Sequence, residues 1–61
     1  MIDAGHRYVA AELRALARSM QGVARAMRQL PDETACKHAN ELDATARMMQ
    51  QWARGVEEQV E

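Results

Sequence analysis

The chain has 61 residues, eight basic and nine acidic side chains for a net charge of −1, one cysteine, and 48% hydrophobic residues. This allows one domain at most, is too neutral for a purely electrostatic coat or tail, and rules out an internal disulfide. No apolar run approaches the roughly 20 residues of a membrane span, the N-terminus lacks the regions of a signal peptide, and a lone thiol suits a reducing compartment. The expectation is therefore a soluble, cytoplasmic protein.

The first predicted helix covers about residues 3–30. Asp3 can cap it, His6 falls in its first turn, and Gly5 weakens its start. From Arg7 to Gln29 most residues are strong helix formers. Gly22 costs about 1 kcal/mol relative to Ala in a helix interior; it is either a tolerated defect or a point of bending or close backbone approach. Apolar side chains follow a heptad, with His6, Leu13, Met20 and Met27 at a, and Ile2, Val9, Leu16, Val23 and Leu30 at d. A flanking row of Ala10, Ala17 and Ala24 lies beside them.

Leu30 precedes Pro31, which disfavours helical geometry at Leu30 and sets a turn at about 30–33. The second helix, about 32–58, starts with Pro31 at its first position or Asp32 as its cap, and Asp32 and Glu33 suit the positive end of its dipole. Its seam places Ala39, Ala46, Ala53 and Val60 at a, and Ala35, Leu42, Met49 and Val56 at d, flanked by Thr45, Met48 and Trp52. A turn this short makes the helices antiparallel neighbours.

Folding the chain about Pro31 pairs every a with a d: Met27 with Ala35, Val23 with Ala39, Met20 with Leu42, Leu16 with Ala46, Leu13 with Met49, Val9 with Ala53, His6 with Val56 and Ile2 with Val60. Val9, Leu16 and Val23 each face an alanine, while Leu13 and Met20 face large partners, an alternation that interdigitates a core. The flanking rows widen the apolar stripe beyond what one neighbour covers. The predicted fold is all-α: an antiparallel helical hairpin that dimerises into a four-helix bundle, with Leu13, Leu16, Met20, Leu42 and Met49 in the dimer core. Charge is uneven, with five arginines against Asp3 and Glu12 in helix one and seven acids against Lys37, Arg47 and Arg54 in the rest. Exposed pairs between the helices add only a few tenths of a kcal/mol each.

Helix faces without loops offer no place for catalytic groups to converge, so no enzyme activity and no cofactor are expected. Cys36 and His38 point nearly opposite ways on a helix and the second histidine lies at the far end, so no metal site is expected; Cys36 reads as a small, partly buried packing residue. His6 opposite Val56 is either a half-exposed, hydrogen-bonded histidine or a pH-sensitive end layer. Arg7, Arg14, Arg18, Arg25 and Arg28, at b and f, share the outward face of helix one and are either solvated charge or a phosphate-binding stripe. Trp52, with Met48 and Thr45, is either more dimer core or a contact for a partner protein, to which Tyr8 would add.

The hairpin symmetry, the size alternation, and the stretches Ala35-Cys36 and His38-Ala39-Asn40-Glu41-Leu42 resemble the Rop-type family of homodimeric helical-hairpin RNA-binding regulators. In that family the outward face of helix one binds paired RNA loops through polar and basic groups and a Phe; Arg7, Arg14, Arg18 and Arg25 match the basic part, and this chain has no Phe. The leading expectation is a small regulatory interaction protein, an adaptor or inhibitor of the size found among phage and plasmid products, that binds itself and another protein. Binding of structured RNA through the arginines is the alternative, and a purely structural oligomerisation module is the third reading.

Overall fold

A computed structural model of the chain describes residues 4–58. It contains two helices, α1 (Ala4–Arg28) and α2 (Glu33–Glu58), packed along their length as an antiparallel hairpin. The expected cap Asp3 and the outermost layer of Ile2 and Val60 lie outside the described residues.

The turn follows from local chemistry. Helix α1 stops at Arg28, two residues before the expected boundary, and tightens as it ends: the amides of Gln29 and Leu30 donate to the carbonyls of Ala26 and Met27 at 3.1 and 3.0 Å. These three-residue bonds satisfy carbonyls that a helix end otherwise orphans, ahead of a proline that cannot continue the ladder. Of the two starts open for α2, Pro31 lies outside the helix and Asp32 stands at the cap position, directly before Glu33. Arg25 and Arg28 close α1 and Glu33 opens α2, so the two dipole ends at the turn meet the opposite charge.

Packing departs from the expected seam on one helix. Helix α2 buries its a and d positions, with Ala35, Ala39, Ala46, Met49 and Ala53 inside. Helix α1 instead buries Ala10, Ala17 and Ala24, the row expected to flank the seam. Its d row is turned out, with Val9, Leu16, Val23 and Leu30 between 46% and 54% exposed. The expected pairs of Val9, Leu16 and Val23 with alanines of α2 are therefore wrong, and so is the small-on-large alternation: the closest layers are small on small. Position a keeps its place at the edge, where Leu13 and Met20 pack against a cluster of Ala17, Ala46 and Met49. The axial register survives, and only the rotation of α1 about its own axis differs.

The cause lies in the width of the apolar stripe. With three adjacent apolar rows, α1 can aim either outer row at α2, and alanines allow the closest backbone approach. That rotation also brings charged rows together on the opposite edge. The resulting interior is thin: among the described residues, seven of the eight that are buried are alanine, and no large side chain is fully enclosed.

Candidate functional site

The hairpin has two unlike faces. One carries the ion pairs. Arg14 donates through Nη1 to Glu57 Oε2 at 2.8 Å and through Nη2 to Oε1, a two-pronged contact across the hairpin. One heptad and then another along α1 stand Gln21 and Arg28, and Arg28 Nη2 meets Asp43 Oδ2 at 2.7 Å and donates to Asn40 Oδ1 at 2.8 Å. On α2 the matching row is Asp43, Gln50 and Glu57, so charge meets charge at both ends, each arginine reaching along the helices to an acid offset from its own level. The hydrogen bonds from Arg14 hold the Glu57 carboxyl below the ordinary carboxylate range; they outweigh the opposing effect of burial, and the charge of Arg14 adds a smaller push in the same direction as the bonds. The same bonds raise the guanidinium of Arg14. Both side chains remain 39% and 36% exposed, which limits the pair's contribution to stability.

This corrects the reading of the arginine stripe. Arg14 and Arg28 do not point outward; they close the α1/α2 edge because the rotation of α1 carries position b toward α2. Arg7, Arg18 and Arg25 remain exposed. Arg47 and Arg54 of α2, which the sequence reading left out, join them on the same side, as their seven-residue spacing parallel to Asp43 and Gln50 implies. None of these five makes an ion pair among the described residues.

The other face is apolar. It carries the d row of α1, with Leu13 and Met20 half-buried beside it, and from α2 the exposed Met48 (45%) and Trp52 (52%) next to half-buried Leu42 and Thr45. Tyr8, 66% exposed, stands at its outer margin. A shallow groove of about 440 Å³ runs along α1 here, walled by Val9, Glu12, Leu13 and Leu16, with Tyr8 and Ser19 at the rim. The face is uneven, because toward the turn α2 offers Thr34, Lys37, His38 and Glu41 in place of apolar groups, and His38 Nδ1 lies 2.8 Å from Glu41 Oε1.

Cys36 is exposed, not partly buried as its sequence neighbours suggested: Ala35 and Ala39 occupy the inward row, and one residue on from Ala35 is a rotation of about 100°. His6 is half-buried on α1. Among the described residues no three side chains are grouped to hold a metal ion, and no helix is long and apolar enough to cross a membrane. No protein-family model, no curated protein and no solved structure matches the chain.

Proposed function

We propose that this chain is a small non-enzymatic interaction protein, an adaptor or inhibitor, which pairs with a second copy through its apolar face as a four-helix bundle and engages a partner protein with a helical face. The observation that carries the reading is the open d row of α1 together with Met48 and Trp52: large apolar groups left at about half exposure on a hairpin whose buried residues, among those described, are alanines and one methionine. Helices of 25 and 26 residues present a face about 38 Å long and about 20 Å wide. That is roughly 760 Å², against the ~800 Å² each partner gives to a standard interface. The chain exposes 4486 Å² at 6.9 kDa, whereas surface scaling gives about 4000 Å² for a compact protein of that mass.

Tyr8 and Met48 stand at the margin of this face, where a sister copy leaves them accessible, and Trp52 lies between the two contacts. Affinity capture from host extract, with and without nuclease, tests the partner. Tyr8→Ala with Met48→Ala keeps the dimer mass and loses the captured protein; recovery of every partner by that variant refutes the assignment.

The second reading is a Rop-like RNA-binding regulator, favoured by the five arginines that form no ion pair among the described residues. It predicts binding to structured RNA that weakens steeply with salt and is lost in Arg18→Glu with Arg25→Glu, two substitutions that leave the ion pairs of Arg14 and Arg28 in place. Micromolar protein that shifts no structured RNA at about 50 mM salt removes this reading.

A further inference from the structure

We infer that the two hairpins associate about a two-fold axis parallel to their helices, with both turns at the same end, so that Trp52 of each chain enters the groove on α1 of its sister. The inference rests on the dimer proposed above and specifies its geometry. Val9, Glu12, Leu13 and Leu16 are spaced i, i+3, i+4 and i+7, the four corners of the hole that one helix presents to a side chain of another. Trp52 is a large side chain 52% exposed on the same face of the same chain.

Heights decide the match. Ala17 and Ala46 share one buried cluster, so in an antiparallel pair Trp52, six residues beyond Ala46, stands level with residue 11 of α1. A helical side chain leans toward its own N-terminus, which for Trp52 is toward the turn and the centre of the hole. A two-fold axis parallel to the helices preserves height and stacks α2 of one chain on α1 of the other, so each Trp52 arrives at the groove. An axis across the helices stacks α2 on α2 and sets Trp52 near the His38–Glu41 pair of the sister chain. In the parallel-axis arrangement Glu12, in the wall of the groove, also gives the indole N–H an acceptor.

Spin labels at Gln29→Cys in a Cys36→Ser background read the arrangement without touching the interface. The expected separation between labels is below about 30 Å, from a bundle with helix spacings of about 10 Å. A separation of about 38 Å or more, one helix length, places the turns at opposite ends and overturns the arrangement while leaving the dimer standing. No dipolar coupling together with a single-chain mass overturns both. Trp52→Ala is expected to weaken the dimer at least about ten-fold; an unchanged dimer constant counts equally against the inference.

Discussion

Glu57 shows how one contact sets a response to acid. Its carboxyl is held below the ordinary value of 4.5 because Arg14 hydrogen-bonds the charged form in the folded chain. The stabilisation is complete at pH above about 4.5, where the unfolded chain also carries the charge, and is lost as pH falls through the lower folded value. Urea unfolding of the native chain should therefore lose more stability between pH 5 and pH 3 than Glu57→Gln does, and the gap should shrink in high salt because the pair is partly exposed. Equal acid losses in both proteins would show that the contact does not act in solution. Gly22 offers the opposite kind of site. A methyl placed there meets only Arg25 Nη2 at 4.0 Å, so Gly22→Ala should stabilise the chain by about 1 kcal/mol in thermal or urea unfolding. A loss of stability instead would mean that another backbone approaches this point in the assembly.

At the level of the helices, the rotation of α1 separates what the sequence made legible from what it concealed. Pro31 after Leu30 and acids at 32 and 33 were enough to place the turn within two residues and both helices in antiparallel register. On α2 one apolar row alternates with alanines, and its inward positions were readable directly. On α1 the a, d and alanine rows lie side by side, and hydrophobicity alone does not say which pair turns inward. The discriminating signal was polar and present in the sequence: Arg14 and Arg28, two heptads apart, complement Glu57 and Asp43 in reverse order, and the rotation that buries the alanine row brings each pair together. Among the interaction residues, Trp52, Met48 and Tyr8 were legible as large groups outside the seam, whereas Arg47 and Arg54 were not, because their face is defined by the neighbouring helix. The alanine rows give a direct check. Ala17→Leu forces a fully enclosed contact apart and should cost roughly 1–3 kcal/mol by urea unfolding, with helicity retained in part. A neutral effect would restore the seam in which Leu16 faces α2.

For the whole molecule, the decisive quantity is how folding depends on concentration. An interior of alanines contributes little transfer free energy per residue, and chains of this size are marginal even with larger cores. The proposed dimer then requires that the melting temperature rise with protein concentration, and that Leu16→Ala cost about 2–5 kcal/mol, as a core truncation does, although Leu16 is half exposed in the single hairpin. A melting temperature independent of concentration, with a cost under about 1 kcal/mol for Leu16→Ala, would show a hairpin that stands alone.

The thin alanine interior has one further consequence. If the chain pairs as proposed, its lifetime is tied to its own abundance: when scarce it would be unfolded and open to proteases, and when plentiful it would be protected by mass action. Its level in a cell would then fall away sharply once synthesis drops below the point where chains find each other, with no dedicated degradation signal.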